Sequence, residues 1–316
     1  MPDRCYIGID TSNYTTSVAI ADAAGEILAN LKAPLPVKPG ERGLRQSDAV
    51  FAHVKNLPEL MRAAEELLRG RRPVAIGVSA TPRAAEGSYM PCFLSGVAAA
   101  ESMAAALHVP IYRFSHQNGH VMAAIYGANA GHLIGRPFGA FHVSGGTTEL
   151  LAVEPNGSDF SLRLVGETAD LNAGQAVDRI GVAMGLRFPC GPELERLALT
   201  NTQKVPKPRI CVKGGVCNLS GLENTALRLY EESGDAALVA AYVLDFIADT
   251  LLAMARWFRA EHGELPLLFS GGVMSNRIIA KRITAALPEV YFSTPAFSAD
   301  NAAGTALLCL ARAKEN

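Results

Sequence analysis

A three-strand hairpin unit occurs twice in this chain, and that duplication limits the folds open to it more than any other feature. The apolar strand at residues 5–10 runs into a polar turn, Thr11-Ser-Asn-Tyr-Thr-Thr16. Residues 17–21 return, Asp22-Ala-Ala-Gly25 turns the chain again, and 27–30 forms a third strand. Residues 138–143, the turn Ser144-Gly-Gly-Thr-Thr148, residues 149–153, the turn Pro155-Asn-Gly-Ser-Asp159 and residues 161–165 repeat the plan. Helical patterns over 48–69, 94–108, 116–127, 171–185, 219–231, 235–261, 276–286 and 300–313 alternate with strand-like stretches at 74–79, 110–114 and 265–269. This alternation predicts two α/β lobes with mixed sheets, residues 1–125 and 126–316, with the change of lobe near 115–137.

Composition narrows the function classes. The chain has 316 residues, 49% apolar and 19% charged, enough to build a large core. Its 29 Lys and Arg oppose 30 Asp and Glu, a net charge of −1 that excludes a globally basic nucleic-acid binder. RNA contact is left to local patches: Arg69, Arg71 and Arg72, or Lys204, Lys207, Arg209 and Lys213, for which a solvated face is the commoner reading. The opening MPDRCYIGID lacks the basic-then-apolar order of a secretory signal. The most apolar region, 236–255, is interrupted by Asp245 and Asp249 and reads as a buried helix rather than a membrane span. Six cysteines without CxxC spacing fit a reducing cytoplasm, where the N-x-S/T sequons at Asn13, Asn156 and Asn218 mean little.

Several short motifs can carry chemistry. In His116-Gln-Asn-Gly-His120, Ser115 is a suitable N-cap and the two histidines fall at i and i+4 on one helical face. That spacing lets two imidazoles share a metal ion; taken alone, an exposed solvated pair is the more frequent outcome. No glutamate follows the first histidine, so the zinc-protease HExxH base is missing. Gly119 between them weakens the helix by about 1 kcal/mol, which implies a close approach to the backbone there. Ser144-Gly145-Gly146 ends an apolar strand, and its amides can face an anion or close an ordinary hairpin. Ser270-Gly-Gly-Val-Met-Ser-Asn276 enters a helix from a strand, where a flat ring can lie on glycine backbone. Asp170 and Asp178 are expected two turns apart on one helix, and Asp300 at the start of the last helix is a cap or a hard ligand.

Two polar first turns in duplicated hairpin units resemble the way each lobe of the actin and sugar-kinase superfamily (ASKHA) begins. In order along the chain, the motifs also resemble the tRNA threonylcarbamoyltransferase family of the TsaD type. Gly8-Ile-Asp-Thr-Ser12 matches its first strand, His116 and His120 its H-x-x-x-H pair, and Ser144-Gly-Gly146 its S-G-G turn. Asp170, Gly174 and Asp178 match D-x-x-G-x-x-x-D, followed by Gly191-Pro192 and Ser220-Gly-Leu222. G-G-V-x-x-N at 271–276 and Asp300-Asn301 complete the series. The resemblance implies a two-lobed fold with a nucleotide cleft between duplicated mixed-sheet lobes. It implies that His116, His120 and Asp300 ligate one Fe(2+) or Zn(2+) and serve catalysis. His142, Val143, Ser144, Gly145, Gly146, Asp178, Gly191 and Asn276 would bind the adenylate of threonylcarbamoyl-AMP, or ATP or AMP, with Thr11 bordering the phosphates. Implied partners are tRNA and the other subunits of a threonylcarbamoyl-transfer complex, with a dimer open and no membrane.

This chain departs from the family pattern at defined places. Thr147 stands for the histidine of S-G-G-H-T, Leu171 for a second acid, Gln175 for a glutamate and Glu223 for the lysine after S-G-L. Pro82-Arg-Ala-Ala-Glu-Gly87 replaces a glycine-proline-glycine loop. These changes suggest a divergent paralogue. The competing readings are a carbamoyl transferase with a different acceptor and a non-catalytic nucleotide-binding partner subunit. The retained His/His/Asp set argues against the second.

Overall fold

A computed structural model describes residues 3–12, 14–36, 44–299 and 302–315. The first hairpin unit is β1 (Asp3–Ser12), β2 (Thr15–Asp22) and β3 (Ile27–Pro34). It continues through α1 (Gln46–Leu68), β4 (Arg71–Thr81), α2 (Phe93–Leu107), β5 (Ile111–Ser115) and α3 (His116–Gly127). The second unit begins with β6 (Phe138–Val143), β7 (Thr148–Asn156) and β8 (Asp159–Glu167). Then come α4 (Ala173–Ala183), α5 (Gly191–Ala198), β9 (Cys211–Lys213), β10 (Val216–Asn218), α6 (Ser220–Ser233) and α7 (Ala236–His262). The chain ends with β11 (Leu267–Ser270), α8 (Arg277–Ala286), β12 (Val290–Phe292), α9 (Pro295–Ser298) and α10 (Ala303–Glu315). The expected elements form. The helix α5, the β9–β10 hairpin, the edge strand β12 and the single turn α9 were not anticipated.

Two five-stranded mixed sheets organise the chain, ordered β3-β2-β1-β4-β5 and β12-β11-β6-β7-β8. In each, an antiparallel hairpin set is extended by parallel strands, as crossover helices require. The chain divides into two compact units. One holds Met1–Gly135, Pro155–Leu162 and Ala296–Asn316, and the other Arg136–Glu154 and Arg163–Pro295.

In the first unit, β1 alternates between two faces. Ile7 and Ile9 pack with Leu57 of α1 and with Ala100 and Ala104 of α2. On the opposite face Gly8 of β1 and Gly77 of β4 leave room for α10 to lie against the sheet. A methyl at Gly8 would stand 2.5 Å from Ala302 O and Ala306 N, and one at Gly77 2.8 Å from Thr305 O. The last helix therefore joins the N-terminal sheet.

In the second unit the core gathers around α7 and the inner face of the sheet, where Phe141, Phe269 and Phe292 stack at centroid distances of 4.6 and 4.9 Å. Helix α7 is long and apolar enough to cross a membrane, yet most of it is buried in this core. Its two interrupting carboxylates are explained: Asp245 and Asp249 pair with Arg282 of α8 at 2.5 and 2.6 Å.

Candidate functional site

The histidine pair sits at the start of α3. Ser115 caps the helix, its hydroxyl accepting from Asn118 N–H at 3.1 Å. Asn118 in turn donates to Asp159 Oδ1 and Phe160 O, which pins this turn to the β7–β8 hairpin tip. His116 and His120 bring their Nε2 atoms to 2.8 Å. Asp10, 1% exposed, faces the other nitrogen: its Oδ2 lies 2.7 Å from His116 Nδ1, while Oδ1 accepts from Ser12 N–H at 2.9 Å. A carboxylate only accepts, so His116 Nδ1 carries a proton, and in the neutral ring Nε2 then holds the lone pair, turned toward His120. A carboxylate behind a ligating imidazole is the usual means of fixing tautomer and ring orientation.

Two imidazoles at about 2.0–2.1 Å from one ion have nitrogens roughly 3 Å apart, so this pair fits a shared cation. Asp300 lies outside the described residues. Among the described residues no group of three His, Cys, Asp or Glu surrounds a common point. Gly119, flagged by its helix cost, proves to face α10: a methyl there would meet Thr305 Oγ1 at 3.0 Å, and Gly304 abuts the Gly119 carbonyl. The close approach is made by this chain's own helix.

Thr11 is fully buried, and its hydroxyl is engaged by α2, donating to Cys92 O at 3.0 Å and accepting from Gly96 N–H at 3.1 Å.

In the second unit a cavity of about 650 Å³ opens between α4, α5 and the β11–α8 turn. That volume suits a nucleotide-sized ligand. Gly145, Asp178, Gly191 and Asn276 all line it, so four of the sequence-derived residues meet at one place. Asp178 Oδ1 accepts from Cys190 N–H at 2.8 Å, which closes the loop into α5 and turns the carboxyl to the cavity wall. Asn276 caps α8, its Oδ1 accepting from the amides of Ile278 and Ile279 at 3.0 Å. Gly271 takes φ 98° and lies against the Val143 backbone, a position only glycine can fill.

The Ser144-Gly-Gly turn closes on itself. Ser144 Oγ accepts from Gly146 N–H at 3.3 Å and Thr147 N–H at 3.1 Å, and Ser144 N–H donates to Thr147 O at 2.7 Å. Gly145 is left to face the cavity. Gly174 N–H donates to Ser144 O at 3.1 Å, seating the turn on the start of α4. His142 and Val143 do not line the cavity. Val143 is buried, and His142 Nδ1 lies 3.3 Å from Ser270 Oγ, which itself donates to Phe141 O.

Asp170 proves to be a tether rather than a helix residue. Helix α4 starts at Ala173 because Asn172 caps it, so Asp170 stays in the preceding loop. Its carboxylate accepts from Ser220 Oγ at 2.6 Å, Leu219 N–H at 2.8 Å, Leu171 N–H at 2.6 Å and Asn218 Nδ2 at 3.3 Å. Partial burial would raise its pKa, but these hydrogen bonds outweigh it and hold the carboxyl well below the usual carboxylate range. Sequence reasoning missed the cavity contributions of Pro189, Glu195, Arg196 and Leu199, because α5 is only eight residues long. Its signal was Pro192 in the first turn followed by Leu194, Leu197 and Ala198.

Comparison with known proteins gives this geometry its relatives. The family model described as TsaD, tRNA N6-adenosine threonylcarbamoyltransferase, matches residues 37–307. A protein of that name from Thermus thermophilus is 34% identical over 310 residues, covering 95% of this chain and 90% of the relative. One from Methanopyrus kandleri is 31% identical, with 94% and 84% covered. Among solved structures, HypF from T. kodakarensis aligns with a TM-score of 0.64 at 15% identity, covering 99% of this chain and 48% of that one. A ROK-family glucokinase from Streptomyces griseus aligns with a TM-score of 0.52 at 13% identity, covering 96% and 99%. At such identities the structural likeness concerns the fold, the two-lobed α/β plan of actin and the sugar kinases. The sequence relatives and the family model go further: this chain belongs to the tRNA N6-adenosine threonylcarbamoyltransferase family.

Proposed function

We propose that this protein transfers the threonylcarbamoyl group of threonylcarbamoyl-AMP to N6 of the adenosine beside the anticodon of tRNA. The observation that carries the reading is the cavity in which Gly145, Asp178, Gly191 and Asn276 meet. Glycine backbone on one wall suits an adenine ring, and the Asp178 carboxyl suits ribose hydroxyls. In the transfer, the N6 nitrogen bonds to the carbamoyl carbon, the bond from that carbon to the phosphate oxygen breaks, and AMP leaves. N6 gives up one proton.

His116 and His120, with Asp300, would hold one Fe(2+) or Zn(2+). A bound cation supplies Lewis acidity that polarises the carbamoyl carbonyl. Asp10 contributes by keeping the proton of His116 on Nδ1. The chain acts in the cytoplasm with partner subunits. The test is to incubate it with threonylcarbamoyl-AMP, tRNA and those subunits, and to read the nucleosides by mass spectrometry. Modified adenosine that disappears with Asp178→Ala supports the assignment. AMP release with unmodified tRNA would refute the acceptor and favour carbamoyl transfer elsewhere.

A further inference from the structure

The two basic stretches of this chain behave differently in the fold. Arg69 is bound into i,i+3 and i,i+4 pairs with Glu66 and Glu65, and Arg71 donates to the Leu67 carbonyl. Those cations are already engaged. Lys204, Lys207, Arg209 and Lys213 are all exposed, and none makes an ion pair or side-chain hydrogen bond with a described residue.

Only the end of the row, in β9, is a regular strand, and residues 204–210 lead into it as a loop. Pro208, Ile210 and Val212 are half-buried, Ile210 and Val212 packing against the core of the second unit; Lys204 precedes this register, beside Val205, which packs there too. Alternate residues must then point away, and Lys207, Arg209, Cys211 and Lys213 do so. Neighbouring outward positions on an extended strand are about 7 Å apart. Pro206 and Pro208 bias the residues before them, Val205 and Lys207, toward extended backbone and offer no backbone donors. The row starts just after Leu199, which lines the cavity. A ladder of unpaired cations on a protein of net charge −1 is suited to a polyanion with regularly repeated charges.

We propose that Lys204, Lys207, Arg209 and Lys213 form the phosphate-binding edge by which this chain holds its tRNA beside the nucleotide cavity. The proposal rests on the transferase reading above. The structure also supplies a reporter within the surface. Cys211 is the exposed cysteine of the row, and Cys5, Cys92, Cys190, Cys217 and Cys309 are buried. Burial pushes the thiols of Cys5, Cys92 and Cys217 up to about 11 and that of Cys309 up to about 12.

The experiment measures tRNA affinity against salt concentration for the full chain with its partner subunits, wild type against a Lys204→Ala/Lys207→Ala/Arg209→Ala/Lys213→Ala variant. Each lost phosphate contact removes about 0.9 from the slope of log K against log salt, so the variant should lose roughly 3 to 4. Threonylcarbamoyl-AMP binding and melting temperature should be unchanged, and tRNA should slow alkylation of Cys211 by iodoacetamide. An Arg69→Ala/Arg71→Ala control, at the two cations already engaged, should keep the wild-type slope.

An unchanged slope with Cys211 equally reactive overturns the surface and leaves the transferase reading standing. Loss of a partner subunit at constant slope also overturns it, assigning the row to a protein. A wild-type complex that binds tRNA but never modifies it, while the variant loses the slope, supports the surface and refutes the transferase reading.

Discussion

Gly174 is the position where packing and ligand binding can be separated most sharply. A methyl added there would stand 2.6 Å from Gly145 N, 2.7 Å from Gly145 Cα and 2.7 Å from Ser144 O. All of these are backbone atoms of the turn that walls the cavity, so no side chain can swing aside. Ordinary contact begins near 3.4 Å, and the turn must retreat by several tenths of an ångström. Overpacking of this kind costs about 1–3 kcal/mol. The gain in helix propensity for Ala over Gly, under about 1 kcal/mol, offsets only part of it. For a unit of this size, 1 kcal/mol is about 2–4 °C, so Gly174→Ala should lower the melting temperature by several degrees. It should also weaken AMP binding, because Gly145 moves with the turn. Gly145→Ala is the control: nothing lies within 4 Å of a methyl there. That variant should melt within a degree or two of wild type yet bind AMP more weakly, as the methyl projects into free space beside the cavity. Calorimetric melting and AMP titration of both variants give the answer. A Gly174→Ala protein as stable as wild type, or a Gly145→Ala protein with undiminished AMP affinity, refutes the reasoning.

Asp170 makes stability depend on pH with a definite sign. Its folded pKa is depressed, so its contribution is full above the unfolded value near 4 and is lost as pH falls below it. Urea unfolding should show Asp170→Asn less stable than wild type at pH 7, with the gap narrowing in acid; a gap constant down to pH 2 would contradict the tether. Asp10→Asn should lower Fe(2+) or Zn(2+) affinity ten- to a hundredfold in a metal titration, the usual effect of losing a carboxylate behind a ligating histidine. Equal affinity would reduce Asp10 to a turn residue. Asn276→Ala should lose about 1 kcal/mol of stability through the cap of α8 as well as AMP affinity. Asn276→Asp should restore the cap, and affinity that returns fully with it would remove Asn276 from the ligand contacts.

What was legible in the sequence was local. The hairpin units declare themselves by alternation and by polar or glycine turns a few residues long, and the long helices by their periodicity. The β9–β10 hairpin carried the same kind of sign, Gly214-Gly215 between two short strands, but three residues a side are too few to show alternation. Asp10 is the opposite case. Its motif was visible, yet its partner lies 106 positions away, and only the parallel run of β1 beside β4, with β5 leading into α3, brings the two together. Gly119 stood out as a cost without a cause, and the cause lay in Gly304 and Thr305 of α10. The convergence of Gly145, Asp178, Gly191 and Asn276 likewise follows from how α4, α5 and α8 pack, which no local pattern encodes.

The departures from the family pattern can now be weighed by what each residue does here. Thr147 holds the Ser144 turn through its own N–H and C=O, roles that any side chain leaves intact. Gln175 Oε1 accepts from Asn172 N–H at 3.3 Å, as a glutamate would, and completes the cap of α4 without its charge. Glu223 pairs with Arg179 at 3.3 Å, beside Asp178. An ion pair this exposed adds at most about 1 kcal/mol. Its main effect is on charge: Arg179 offsets Glu223, so the carboxylate is a weaker deterrent to a phosphate than the reversal from lysine suggests. At these three places the residue makes a backbone, capping or surface contact within this chain, and what differs from the family pattern is the group offered outward. These three departures therefore alter groups offered outward, whereas Leu171, buried in the core of the second unit, sets an apolar side chain where the family pattern has an acid.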